Sequence, residues 1–179
     1  MKFSKTLKAA ILAATTAVVT VAVALFAGCS TTQGTSKDID AVYKSNVEFG
    51  NMGIYVCTAN IVTTYTDGTY MYVSDMESLY DVENSLTIGA ISNSYFGTYT
   101  LTEDEDTGVV TLSLSAPDRV IYLANIPGYE DYYDTDDAES LPEKDDGTKQ
   151  TAQEILSQSK GWTMTVGENN LITKIEAVA

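Results

Sequence analysis

The segment ANIVTTYTDGTYMYVSD, Ala59 to Asp75, decides how this chain folds. Asp67-Gly68 stands between two runs rich in Ile, Val, Thr and Tyr. Asp-Gly flanked by strand-forming residues is a strong hairpin signal, because glycine takes positive φ without a Cβ clash. Two registers are open. A two-residue turn pairs Tyr65 with Tyr70 and Thr63 with Tyr72. A three-residue loop with a glycine bulge instead puts Val62, Thr64, Tyr70 and Tyr72 on one face. A slip of one residue exchanges the faces. The bulged form is favoured, because it joins Val62 to the two tyrosines.

The same grammar repeats downstream. In SYFGTYTLTEDEDTGVVTLSLSA, Ser94 to Ala116, residues Val110, Leu112 and Leu114 alternate with Thr111, Ser113 and Ser115. That is the pattern of a strand with one apolar and one wet face. Phe96, Tyr99 and Leu101 are the expected core partners across the turn. Arg119 to Ile126 reads as a third strand after the break at Pro117. In GWTMTVGENNLITKIEAV, Trp162, Met164 and Val166 share a face, and Gly167 to Asn170 turns the chain. Ile172 is out of step with Leu171, Thr173 and Ile175, so pattern alone does not fix that pairing. Thr151 and Glu154 form a capping box that opens a short helix, which Gly161 can stop. Ser74 to Ser85 is a second candidate for a turn or two of helix. The expected fold is mainly β: an antiparallel meander closing into a small barrel or half-barrel, or alternatively a β-sandwich, with one or two short helices.

The strand order, with T-D-G-T-Y followed by F-G-T-Y-T, an acidic turn and V-V-T-L-S-L, resembles small lipocalin-like β-barrel domains of secreted bacterial lipoproteins. The resemblance spans Ile54 to Ser115. It implies a meandering barrel and carries no ligand or binding residue with it.

The N-terminus points the same way. MKFSKTLK carries Lys2, Lys5 and Lys8, and Ala9 to Gly28 holds no charged residue. A basic start, an apolar stretch and small residues before a cut site make a secretory signal. The border LFAGC, ending at Cys29, is similar to the lipobox of bacterial lipoproteins, with Phe26 where that family usually carries Leu. The resemblance implies cleavage before Cys29 and a thioether to diacylglycerol, with further acylation of the palmitate type. Residues 1–28 are then a lipoprotein signal peptide and 29–39 a flexible tether. Residues 40–179 form a single antiparallel β domain with an acidic loop at 128–150. The expected location is extracytoplasmic, lipid-anchored at the cell membrane or the outer membrane. An uncleaved anchor is the alternative, and both tether the domain outside the cytoplasm.

Charge narrows the partners. The chain has 25 acids and ten bases, a formal net charge of −15. Three of the bases and none of the acids precede residue 29, which leaves seven bases and 25 acids, or −18, beyond it. Such a surface repels phosphate backbones, so nucleic acid is not an expected partner. It repels anionic headgroups too, so the lipid must do the holding. Basic proteins are the partners it attracts.

The chemistry available is limited. There is no histidine, which removes Ser-His and Cys-His nucleophiles and imidazole-bound metals. With Cys29 acylated, Cys57 is a lone thiol in an apolar run, expected to be buried and inert. No phosphate-cradling glycine motif is present, and Arg119 is the only arginine. No cofactor is expected. Calcium is the one ion the acid runs Glu103 to Gly108 and Asp134 to Ser140 could attract, but neither fits an EF-hand loop.

Paired carboxylates could hydrolyse a glycoside if one sat in an apolar pocket. The visible acids lie in polar stretches, so the expected function is not enzymatic. The chain reads as a lipid-anchored β domain that binds a ligand or partner. An inhibitor or sequestering protein for a cationic protein such as a lysozyme is the alternative, and a carboxylate-based glycoside hydrolase comes third. GYEDYYD supplies the candidate contact residues Tyr129, Tyr132, Tyr133, Asp134, Asp136 and Asp137, since tyrosines amid acids suit a basic protein surface.

Overall fold

The computed structural model describes residues 37–46, 48–51, 55–81 and 86–179, with the backbone path alone for 48–51, 55–57, 75–81 and 86–88. Residues 1–36, among them Cys29 and the expected signal peptide, lie outside the described residues, as does the Cys57 side chain.

Among the described residues ten strands form one sheet: β1 (Ile39–Ser45), β2 (Glu48–Asn51), β3 (Tyr55–Tyr65), β4 (Thr69–Asp81), β5 (Leu86–Glu103), β6 (Val110–Leu114), β7 (Arg119–Ile126), β8 (Tyr129–Asp134), β9 (Trp162–Val166) and β10 (Leu171–Ala177). Among the described residues one short helix, α1 (Ala152–Leu156), and a 3-10 turn at Glu168–Asn170 accompany the strands. The neighbour order β1-β10-β9-β6-β5-β4-β3-β1 closes on itself, so seven of the strands make a barrel. All pairings are antiparallel except β1 with β10, which run parallel and make the barrel mixed. Strand β5 is long enough to serve two neighbours on one flank, β6 at residues 99–103 and β7 at 90–96. Strands β7 and β8 therefore extend the sheet past the barrel wall.

The hairpin at Asp67-Gly68 takes the bulged register: Val62 faces Tyr72 and Thr64 faces Tyr70. Gly68 sits at φ +82° and donates its N–H to the Tyr65 carbonyl at 3.0 Å. The turn is pinned by Asp67, whose Oδ1 accepts from the backbone N–H and the hydroxyl of Thr69. Val62, Tyr70 and Tyr72 then join Tyr43, Leu112, Leu114, Met164, Val166 and Ile172 in one core cluster, with Val110 and Trp162 packed against it. Ile61, Thr63, Met71 and Val73, on the opposite face, are buried as well.

Trp162 anchors the core. Its ring meets Tyr72 edge-on at 4.9 Å and Tyr95 at 4.7 Å. Tilted and edge-on contacts of this kind bring the positive ring edge to a negative face. Small barrels are filled by their own side chains, and Val62, Leu112 and Met164 are fully buried here.

Four expectations need correction. Phe96 is not a core residue: it pairs with Met71 and Arg119 on the outer face, while Tyr95 and Tyr99 turn inward. Leu101 faces Leu112 yet stays 48% exposed, because β4 pairs with β5 only as far as Thr98 and leaves that end uncovered. Ser74 to Asp81 is not helical but continues β4 between β3 and β5, since two flanking strands offer a full ladder that a short helix cannot match. The acidic segment 128–150 opens with strand β8, because β7 presents an unpaired edge and tyrosines favour pleated structure. The rest of that segment is held by the isolated bridges Asp134–Asp137 and Glu143–Lys149 and by Leu141, which is buried with Val120 and Ile155. The irregular phase of Ile172 also has its explanation. A register shift between Ile172 and Lys174 lets Ile172 and Ile175 both pack on the core.

Helix α1 forms as the capping box specifies. The Thr151 side chain accepts from the Glu154 N–H, and Glu154 accepts the Thr151 N–H at 2.7 Å. Lys144 pairs with the same carboxylate at 2.7 Å. The Lys144 contact and the Thr151 hydrogen bonds bring the Glu154 pKa down to about 2.

Candidate functional site

The only arginine of the chain organises the outer face where β5, β7 and β8 meet. Arg119 opens β7 opposite Phe96 on β5. Its Nε donates to Asp134 Oδ1 at 3.0 Å and its Nη2 to Asp134 Oδ2 at 2.5 Å, a fork-on-fork pair. Nε also lies 3.2 Å from Asp136 Oδ2. The guanidinium carbon sits 5.4 Å from the centre of the Phe96 ring, within cation–π range.

Asp134 is buried, and burial by itself works to raise its carboxyl pKa. The Arg119 hydrogen bonds, the Asp136 N–H and the arginine charge outweigh that, so the pKa is lowered. The Arg119 pKa moves up in return, first through the hydrogen bond to Asp134. The Asp134 N–H is satisfied by the Ser140 hydroxyl at 2.8 Å.

Beside Arg119 lies a groove of about 440 Å³. Its far bank carries Lys37, which pairs with Asp67 at 3.0 Å, donates to the Thr69 hydroxyl at 2.9 Å and lies 5.8 Å over the Tyr65 ring. The Thr69 hydroxyl and then Lys37 bring the Asp67 carboxyl down to about pKa 2. The floor is made by Gly97, because the Tyr70 ring crosses that position to donate to the Ser115 carbonyl at 3.0 Å. Asp118 lines the groove, is exposed, and forms no ion pair among the described residues. Two cations, Lys37 and Arg119, thus face four carboxylates, Asp67, Asp118, Asp134 and Asp136, a local net charge of −2. Both cations are already engaged. Asp118 is the groove carboxylate without an ion pair among the described residues, and Asp136, which is exposed, meets Arg119 through one oxygen.

The six residues singled out from sequence divide. Tyr129 and Tyr132 stand exposed on β8, at 57% and 47%. The Tyr132 hydroxyl lies 3.5 Å from Asp134 Oδ2. Tyr133 instead stacks on Tyr122 at 5.3 Å and packs towards the Val120 cluster. Asp134 is a buried partner of Arg119, Asp136 faces the groove, and Asp137 accepts the Glu139 N–H to hold its own turn. The structure therefore brings Tyr132, Asp134 and Asp136 to one place and gives Tyr133 and Asp137 local packing roles. Sequence reading missed Lys37, Phe96, Asp118 and Arg119. The signal available was Arg119 itself, a lone arginine followed fifteen residues later by an acid run.

In the acid run at the β5–β6 tip, Asp104 holds the turn. Asp104 Oδ1 accepts from the Thr107 N–H and hydroxyl, both at 2.8 Å, and from the Asp106 N–H. Among the described residues no group of three or more acids or cysteines is arranged to hold a metal ion. Comparison of the chain with protein families, curated proteins and solved structures found no match.

Proposed function

We propose that this chain is a lipid-anchored, extracytoplasmic binding module that engages a cationic protein partner without catalysing a reaction. The observation that carries the reading is the groove beside Arg119, where Asp118 forms no ion pair among the described residues and Asp136 has only an exposed contact with Arg119, while Lys37 and Arg119 are already paired. A lysine or arginine side chain of the partner enters between Tyr65 and Phe96 and meets those two carboxylates. Tyr132, on the Asp134 face of β8, extends the contact as amphipathic surface. The barrel interior supports an outer-face site, because aromatic and aliphatic side chains occupy the space a lipocalin-type ligand would need. Asp134 is held as an anion and so lacks the raised pKa a general acid requires.

Two measurements test the proposal. Mass spectrometry of the membrane-extracted protein is expected to find a mature chain acylated on Cys29, and a chain that keeps its signal contradicts the anchor. Titration with a lysozyme as the cationic probe is expected to give affinity that falls steeply between low and physiological salt. Affinity indifferent to salt contradicts the electrostatic docking.

A further inference from the structure

Strand β8 ends its sheet: it has β7 on one side and, among the described residues, no strand on the other. The Thr135 N–H donates to the Val120 carbonyl at 3.0 Å, which continues the β7–β8 register by one pair. Antiparallel strands alternate residues that bond to the neighbour with residues that turn away from it. Tyr129, Asp131 and Tyr133 therefore direct their backbone groups to β7, and Glu130, Tyr132 and Asp134 direct theirs outward. At the Asp134 end the outward groups are taken. The Asp134 N–H goes to the Ser140 hydroxyl at 2.8 Å, and its carbonyl accepts from the Asp137 N–H at 3.0 Å. The other end differs. Residues 129–132 are all exposed, and the Tyr132 N–H is held by the carboxylate beside it, Asp131 Oδ1, at 2.9 Å.

An exposed strand edge is a template for another chain, and its charges select which chain. Glu130 and Asp131 are consecutive, so they point to opposite faces and an added strand meets an acid on each. Like charges directly opposite one another destabilise a strand pair. A second copy is disfavoured on that ground. Antiparallel pairing of two β8 strands about a two-fold axis sets Asp131 against Asp131 in one register and Glu130 against Asp134 in the next. A basic segment meets the opposite situation, with the exposed Tyr129 and Tyr132 rings flanking the two acids.

We propose that the β8 edge is a strand-addition site for an extended, dibasic segment of the partner protein. The inference rests on the reading of a cationic partner and names the form in which that partner is recognised. Two consecutive basic residues lie opposite Glu130 and Asp131, one on each face, and β-branched residues lie against Tyr129 and Tyr132. The base facing Asp131 draws its carboxylate off the Tyr132 N–H, which then joins the ladder to the new strand. Asp131 thus keeps the edge occupied until a cation arrives.

The test uses the full-length chain in detergent and a fluorescent, terminally blocked hexapeptide, Thr-Val-Lys-Lys-Val-Thr. Saturable binding is expected, with the Glu-Glu counterpart about tenfold weaker or worse. Of two isomers N-methylated along one backbone edge or the other, one is expected to bind as the parent does and the other about tenfold more weakly. Glu130→Lys/Asp131→Lys is expected to lower affinity for the Lys-Lys peptide about tenfold and to raise it for the Glu-Glu peptide, while the charge-matched Glu103→Lys/Glu105→Lys stays within about twofold of wild type. All four side chains are exposed, and an unchanged circular dichroism spectrum confirms folding. No saturable binding, equal binding of both isomers, or equal losses in the two variants each overturns the proposal. So does self-association of the chain that the peptide competes away, which gives the edge to a second copy. If a lysozyme still binds in a salt-dependent way when the peptide does not, the cationic partner stands and only the strand edge is refuted. Loss of both refutes the reading beneath it.

Discussion

Arg119 and Asp134, fifteen residues apart, meet through two parallel hydrogen bonds that lock the start of β7 to the end of β8. The pair does structural service and also sets the electrostatics of the groove. Removing the carboxylate leaves the guanidinium facing an amide, beside an exposed aspartate. Asp134→Asn is therefore expected to destabilise the protein by about 2 kcal/mol in urea unfolding, the scale of one charge-assisted hydrogen bond. Arg119→Lys does not restore the geometry, because an ammonium cannot make the fork. A loss below about 0.5 kcal/mol in either variant would show that the pair is ornamental.

The same pair makes the protein acid-sensitive in a defined window. The Asp134 pKa is lower in the folded chain than in the unfolded one. Its contribution is thus fully present above the unfolded carboxyl value of about 3.9 and is lost as pH falls through the folded value. Thermal melts of wild type and Asp134→Asn should differ at neutral pH and converge as pH drops below about 4. A gap that persists undiminished in strong acid would assign the loss to packing rather than charge.

Gly97 is fixed by contact rather than by dihedral angle. A Cβ there would lie 2.7 Å from the Ser115 hydroxyl and 2.9 Å from the Tyr70 ring. Gly97→Ala is expected to push Tyr70 off the Ser115 carbonyl and to cost about 1–3 kcal/mol, the range for overpacking. Wild-type stability in this variant would mean that the ring has room to move.

Trp162 reports on barrel closure. It is the only tryptophan and touches Tyr72 and Tyr95. Trp162→Ala is expected to cost about 3–5 kcal/mol by the cavity it opens. In the wild type, tryptophan fluorescence and the far-ultraviolet circular dichroism should change at one urea concentration, as for a single cooperative unit. Separate midpoints would mean that the barrel and the β7–β8 extension unfold apart.

What the sequence made legible was the local grammar. Asp67-Gly68 and the alternation of Val110, Leu112 and Leu114 name hairpins and faces, because strand periodicity and turn chemistry act over a few residues. Thr151 with Glu154 likewise names the helix start. What escaped was decided at long range. Phe96 has the composition of a core residue, and only its pairing with Met71 and Arg119 turns it outward. The strand at Tyr129 to Asp134 looks like a loop until β7 offers it an edge. The parallel seam between β1 and β10 has no local signature at all, since about 125 residues separate its partners. The candidate site follows suit. Asp134 and Asp136 stand out as acids, but nothing local ties them to Arg119, Phe96 or Lys37.

A charge-matched comparison tests most directly whether a basic side chain docks in the groove beside Arg119. Asp118→Asn/Asp136→Asn and Glu103→Gln/Glu105→Gln each remove two negative charges, the first pair from the groove and the second from the exposed β5–β6 tip. Titrated with a lysozyme at one fixed ionic strength, the groove variant is predicted to lose about tenfold in affinity, or about 1.4 kcal/mol, while the tip variant stays within about twofold of wild type. Equal losses in the two variants would show that net charge alone attracts the partner and would contradict the site.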